Sequence, residues 1–445
     1  MPVNILNLSA YNITGIEENK YDYHIDAEVK NHPSKCQNCD SDNLVGFGRN
    51  EQIIRDLPMH GKRVGVYVDT RRYQCRSCNK TFYERLPDVD DKRLMTTRLI
   101  KWMGQQSIKR PFAHIADEVG VSEMTVKNVF SDYITELERT VRFETPQWMG
   151  IDEIHIIKKP RCVVSNIENN TIVNVLRDRN KATVKDYLNR LKGKELVRCV
   201  AMDMWLPYRD AVRDVMPQAT IVVDKFHVVR IANECMEAVR KSIRADLTVK
   251  QRRGLMHDRF TLLKRESKLE GFDRINLESW TKNYPALGAA YRAKEGFFAI
   301  YDALSVAEGQ ELFRDWESGL DPDIKDAFHP LTRAVNNWMP EIMAYFEHSV
   351  TNAYTESLNN LIRVMNRLGR GYSFEALRAK ILFTEGVWKI KKPKFSRPEP
   401  TPKISNTYEC FTFSKMVSST RGPEREINYG ADISTLVRMI EEGLL

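Results

Sequence analysis

Residues 149–157, MGIDEIHII, hold five large apolar side chains around a pair of acids, and how that run is read decides the fold. Met149, Ile151, Ile154 and Ile156 have the makeup of a strand buried in a sheet. A carboxylate inside such a run, Asp152, is costly unless something cationic or a set of donors satisfies it. The run therefore predicts a buried strand with a functional acid at its centre. The plainer alternative is an acid satisfied at the end of a sheet.

Working outward from that run, strands are expected at 149–157, 161–167 and 171–177, a helix at 182–191, and strands at 196–202 and 220–223. Three strands, a helix, a strand, a helix and a strand is a mixed α/β order. Asp203 follows the fourth strand, so it and Asp152 can stand on neighbouring strands; its plainer role is to cap the next helix. From Phe226 to about Val350 no strand is apparent, which predicts an all-α insertion. Its Trp280, Trp316 and Trp338 read as core rather than as platforms for bases.

A helix through 352–368 carries the third acid. At 100° per residue, Asn352, Glu356, Asn359, Asn360, Arg363 and Arg367 share one polar stripe, with Leu358, Leu361, Ile362, Met365 and Leu368 opposite. The helix is expected to pack its apolar back on a core and to offer Glu356 among amides and arginines. A solvated helix face would give the same pattern. Three oxygen ligands, Asp152, Asp203 and Glu356, suit Mg2+ or Mn2+, and two such ions serve in-line phosphoryl displacement.

Upstream, Cys36-x2-Cys39 and Cys75-x2-Cys78 offer four thiolates with the spacing of a structural Zn2+ site. The gap between them holds Ile53–Ile54 and the alternating Val64, Val66 and Val68, as in a zinc ribbon. The remaining cysteines, Cys162, Cys199, Cys235 and Cys410, are scattered, which fits a metal site in a reducing compartment better than disulfides. Lys62, Arg63, Arg71, Arg72 and Arg76 cluster near the pairs and suit phosphate contacts. From Leu94 the spacing becomes helical. Leu99, Trp102 and Met103 form one stripe; Phe112, Ile115, Ala116 and Val119 form a second. Gly120 then breaks the chain, and Ser122 can cap a third helix. Two short helices joined in this way match a helix-turn-helix, with Thr125, Lys127 and Asn128 facing out towards DNA.

Lys and Arg exceed Asp and Glu by 68 to 60, a formal net charge of +8 that points to a polyanionic partner. No stretch has the apolar length of a membrane span, and the N-terminus lacks the layout of a signal peptide, so an intracellular protein is expected. Residues 388–403, WKIKKPKFSRPEPTPK, read as an extended basic linker, and only the last dozen residues beyond it look helical.

Several blocks in one order are similar to a known family. RDLP (Arg55–Pro58), GIDEIHI (Gly150–Ile156), AMDMWLPY (Ala201–Tyr208), VVDKFHVV (Val222–Val229) and TNAYTESLNNLIRVMNR (Thr351–Arg367) resemble the IS-L-three family of bacterial insertion-sequence transposases. The resemblance implies a multidomain α+β chain. Its parts would be a zinc ribbon at 1–90, a helix-turn-helix at 91–145 and an RNase H-like DDE domain opening at 146–227. An all-α insertion at 228–350 and the Glu helix at 351–387 would follow, then a linker and tail at 388–445. It also implies Asp152 and Glu356 as the first and last catalytic ligands of two Mg2+ or Mn2+ ions; of Asp203 and Asp224, which both follow strands and precede helices, Asp203 is assigned as the second ligand, and Asp224 with His227 as a supporting signature. Expected partners are the element's terminal inverted repeats and target DNA, and at least a dimer in the synaptic complex, in the bacterial cytoplasm with the nucleoid. A DNA-binding regulator without chemistry, or a metal-dependent structure-specific nuclease, are the rival classes.

Overall fold

A five-stranded sheet with both faces covered lies at the centre of the chain, and its strands follow from the apolar runs of the sequence. The computed structural model describes residues 6–141, 143–348, 352–369 and 371–386. The basic linker at 388–403, the helical ending and Cys410 fall outside them.

The N-terminal module comprises β1 (Tyr11–Glu18), β2 (Asp22–Val29), β3 (Leu44–Met59), β4 (Lys62–Cys75), β5 (Thr81–Tyr83), β6 (Val89–Asp90) and β7 (Met95–Thr96). They pair in the order β1-β2-β4-β3-β7-β6, with β5 on β4. Strands longer than the sequence pattern implied run through β3 and β4, 16 and 14 residues. Much of the first half of β3 is exposed and the end of β4 is mostly polar, so apolar alternation marked only the part around Ile54 and Val64–Val68. Val64, Val66 and Val68 share the buried face with Ile25, Ala27 and Ile54.

Three helices follow: α1 (Thr97–Lys109), α2 (Phe112–Val119) and α3 (Glu123–Thr140). Gly120, at φ 77°, closes α2 in the left-handed region that favours glycine. The Ser122 hydroxyl accepts from the Thr125 N–H at 3.1 Å, and so caps α3.

The central sheet comprises β8 (Trp148–Ile156), β9 (Lys159–Asn166), β10 (Thr171–Val175), β11 (Cys199–Met202) and β12 (Thr220–Val223). Its order is β10-β9-β8-β11-β12. β9 runs antiparallel to β8 and β10, whereas β8, β11 and β12 are parallel. This meets the mixed α/β expectation. The fourth strand is shorter than expected: Lys194–Leu196 is a 3-10 turn with Leu196 61% exposed, and pairing starts at Cys199.

Helices α4 (Lys181–Arg190) and α5 (Leu206–Val215) bury Val184, Leu188, Tyr208 and Val212 against one sheet face. From β12 the chain enters α6 (Lys225–Ser242), which runs unbroken through position 228 into the insertion. The insertion continues as α7 (Val249–His257), α8 (Arg259–Leu263), α9 (Phe272–Asn283), α10 (Pro285–Ile300), α11 (Val306–Ser318), α12 (Lys325–Asn337) and α13 (Met339–Met343), and no strand occurs among its described residues. Trp338 is buried, and Trp280 and Trp316 pack against the same core. Their indole N–H groups donate to Asp258 (2.8 Å) and to the Ala293 carbonyl (2.7 Å).

The other sheet face is covered by α14 (Ala353–Leu368) and α15 (Phe374–Glu385). One continuous core joins Ile154, Val163 and Ile172 of the sheet, Leu358 and Ile362 of α14, Leu377 and Phe383 of α15, and Leu99, Phe112, Val126 and Phe130 of α1–α3. Each such aliphatic or aromatic side chain contributes roughly 1.5–3 kcal/mol on burial. A buried lysine seals the joint: Lys380 Nζ donates to the carbonyls of Ser107 and of Arg110 (2.9 Å), at the end of α1. It lies over the rings of Phe112, Phe130 and Tyr372.

Lys380→Ala leaves those terminal carbonyls unpaired in an apolar setting and is expected to cost about 2–4 kcal/mol. The expected readout is an earlier denaturation midpoint in which helix-turn-helix and sheet signals shift together.

Candidate active site and metal centres

Sheet register explains how acids distant in sequence meet. Met202 of β11 lies opposite Ile151 of β8 and opposite Val223 of β12. The next residue along each is therefore Asp152, Asp203 or Asp224, three acids in one row, with Asp203 and Asp224 just past the ends of β11 and β12 and Asp152 midway along β8. Neighbouring strands lie about 4.8 Å apart, so the row is crowded.

Ligand atoms of Asp152, Asp203 and His227 lie within 4.8 Å of one another, and so do those of Asp224, His227 and Glu356. His227 thus belongs to both groups, with Nε2 2.7 Å from Asp203 and 3.9 Å from Glu356. The expected triad is divided between the two: Asp152 and Asp203 fall in one, Glu356 in the other beside Asp224. A histidine at a strand end is more often structural, so the sequence alone did not indicate this bridging place.

α14 meets the sheet at a position where only glycine fits. A Cβ on Gly150 would lie 2.3 Å from Ser165 Oγ, 2.6 Å from Asn352 Oδ1 and 2.8 Å from Thr355 Oγ1. Ser165 and Thr355 hydroxyls pair at 2.6 Å, and Thr355 donates to Asn352. One turn further on, Asn359 Nδ2 donates to Asp152 Oδ2 at 2.6 Å. The expected polar stripe needs correction here. Asn352 and Asn359 are buried against the sheet, while Leu361 (39%) and Leu368 (61%) are exposed. The helix docks through polar groups because a buried acid needs donors. Glu356 is partly buried, and Asn360, Arg363 and Arg367 are exposed.

Burial, and then the charge of Asp203, push Asp152 up to about 8, although the Glu153 N–H pulls the other way. Burial and the charge of Asp224 push Glu356 up to about 7. Burial also raises Asp224. Burial alone would lower His227, yet its contact with Asp203 and the surrounding acids raise it overall. One carboxylate oxygen of Asp224, Oδ2, is buried without a hydrogen-bond partner among the described residues. Several oxygens, one imidazole and this uncompensated charge fit hard divalent cations such as Mg2+ or Mn2+.

The zinc site is built from two knuckles. Cys36 and Cys78 sulfurs lie 3.7 Å apart, Cys39 and Cys75 sulfurs 3.6 Å, and all four within 4.8 Å. A tetrahedral ion with Zn–S bonds of about 2.3 Å sets sulfurs roughly 3.8 Å apart, so the four cysteines fit Zn2+. Each knuckle turns on a left-handed residue after its second cysteine, Asp40 (φ 55°) and Asn79 (φ 58°). Asn and Asp tolerate that conformation best after glycine. The N–H groups of Cys78 and Ser77 point at the Cys75 sulfur and pull its thiol down to about 6.

The basic cluster is partly neutralised within the module. Lys62 pairs with Glu18, Arg63 with Asp22 (2.6 Å), and Arg71 with Glu28 at 3.6 Å. Arg72 donates to Thr81 (2.9 Å) and lies over Phe47 and Tyr83. Arg76 is exposed, as are Lys127 and Asn128 on α3; Thr125 is half-buried at the cap.

Comparison with known proteins gives a consistent answer. Residues 149–381, more than half the chain, match a transposase family, ISL3. Residues 32–78 match the zinc-finger of transposases IS204, IS1001, IS1096 and IS1165, and residues 84–134 the helix-turn-helix domain of the same family. The chain is 23% identical over 328 residues to the transposase for IS1001 of Bordetella parapertussis, covering 72% of this chain and 80% of the relative. It is 24% identical over 275 residues to the transposase for IS1557 of Mycobacterium tuberculosis, covering 56% of this chain and 62% of the relative. No helix among the described residues is long and apolar enough to cross a membrane.

Carboxyl groups held near 7 and 8 must lose their protons to bind a dication, and above those values they already have. Mn2+ affinity is expected to rise steeply from pH 6 to about 8 and to level off above it. Calorimetry in buffers of different ionisation heat checks this through the protons released.

Proposed function

Since the chain belongs to the ISL3 transposase family, we propose that it binds the terminal inverted repeats of an insertion sequence and carries out Mg2+-dependent cleavage and strand transfer there. The observation that carries the proposal is the in-register row of acids beside the Glu356 helix.

In this reading Asp152, Asp203 and Glu356 hold the ions. When bound, two such ions activate a water or a 3′-hydroxyl for in-line attack and stabilise the leaving oxygen. Asn359 keeps the Asp152 carboxylate oriented through its amide. His227 supports Asp203 and Glu356 from between them, and the buried Asp224 stabilises the charge on His227. Exposed Asn360, Arg363 and Arg367 lie where backbone phosphates would pass. The zinc ribbon and helix-turn-helix would hold the repeat, with the exposed face of α3 in the major groove. Bringing two ends together calls for at least a homodimer.

The experiment is incubation of a donor carrying matched repeats with protein and Mg2+. Strand-transfer products support transposition, cutting alone supports a structure-specific nuclease, and inert binding supports a regulator. Among variants, Asp203→Asn is expected to lower cleavage to background while repeat binding survives. Asp224→Asn, altering a support, is expected to lose about 10–100-fold and retain measurable cleavage. The reverse ranking in a gel assay makes Asp224 the second ligand.

A further inference from the structure

The insertion carries a charged surface that the acid cluster does not use. Between Ala238 and Phe260 the chain has seven Lys and Arg against two Asp. Two of the seven pair with an acid: Arg240 and Arg259 reach the carboxylate of Glu237 at 2.7 and 3.2 Å. Arg252 donates to the Ala245 carbonyl at 3.4 Å, tying α7 back onto the end of α6. Lys241, Arg244, Lys250 and Arg253 are exposed, and none makes a close ion pair among the described residues, although Lys241 adds to the positive field on Glu237.

Local helix electrostatics explains only part of this. Arg240 and Lys241 stand in the last turn of α6, at the negative end of its macrodipole. Lys250, Arg252 and Arg253 stand within the first five positions of α7, at its positive end, and no acid lies in that first turn. Cations there are unfavourable for the isolated chain, and an external polyanion removes the penalty.

Position supplies the second argument. α6 starts at its Asp224 cap, inside the acid cluster, and runs unbroken to Ser242. His227, Arg230, Glu234, Ala238 and Lys241 follow one stripe along it. The fourteen steps from His227 to Lys241 span about 21 Å at ~1.5 Å per residue, which is about six base pairs at ~3.4 Å each.

We infer that the α6–α7 corner of the insertion is a duplex-DNA surface. It holds backbone phosphates about six base pairs from the phosphate at the acid cluster. The distance rests on the transposase reading above, whereas the binding itself rests on the charges alone. No base-edge contact is required, so the surface is indifferent to sequence.

The test uses the full chain with Lys241, Arg244, Lys250 and Arg253 all changed to Ala, and a second variant in which Lys and Arg are exchanged at those positions. Anisotropy with a random-sequence 40-base-pair duplex between 50 and 200 mM salt reads the slope of log K against log salt. The Ala variant is expected to lose about 3–4 units of slope while the exchange variant keeps it. An unchanged slope with a lower sedimentation coefficient would mean a protein–protein surface and overturns the inference. An unchanged slope alone also overturns it. In a second arm, wild-type cleavage is expected to fall when donor duplex is trimmed to within about six base pairs of the cut, and the Ala variant is expected to ignore trimming. Wild type that cuts no donor counts against the transposase chemistry, yet the salt slope still decides the patch.

Discussion

The seating of α14 on β8 at Gly150 is the contact on which the rest of the structure depends. Because position 150 has no side chain, Ser165, Asn352 and Thr355 meet over the strand and bring the helix within reach of Asp152. That approach lets Asn359 reach the acid, and it carries Glu356 to the row formed by the three aspartates. The same helix turns Leu358 and Ile362 the other way, into the core shared with α1–α3. A single close approach thus sets both the acid geometry and the docking of the DNA-binding helices.

The acid row is unfavourable for the empty fold. Buried carboxylates in adjacent register raise one another's proton affinity, and nearby protein cations offset this only in part, chiefly through His227. Such an arrangement persists because the hydrophobic layers on both sheet faces over-determine the strand positions. The stability lies in the layers and the proposed chemistry in the row, and the strand register connects them.

Much of this was legible in the sequence where period and composition speak directly. The strand–helix order of the sheet, the Ser122 cap, the Gly120 break, the cysteine pairs and the helical insertion all rest on local patterns. Cross-strand register is not a local property, so the alignment of Asp152, Asp203 and Asp224 emerges only in the folded sheet. The turn between β8 and β9 was silent because Ile157 and Lys158, both at positive φ, are not residues that announce a turn. A helical wheel could not tell that Asn352 and Asn359 face inward, because it counts amides as solvent-seeking. A buried carboxylate reverses that preference by requiring a donor. The outer parts of β3 and β4 were hidden for the complementary reason, since no apolar alternation extends there from Ile54 and Val64–Val68.

The core common to α1–α3, α14 and α15 means that this chain is not a set of interchangeable modules. Lys380 reads the end of α1 through two carbonyls, so a helix-turn-helix borrowed from a relative would arrive with the wrong surface beneath it. Retargeting such a protein to a new repeat by grafting would require carrying the underside of α15 along with the recognition helix. For lineages that diversify their binding sites, this favours change on the outward face of α3 alone, with its inward face held fixed.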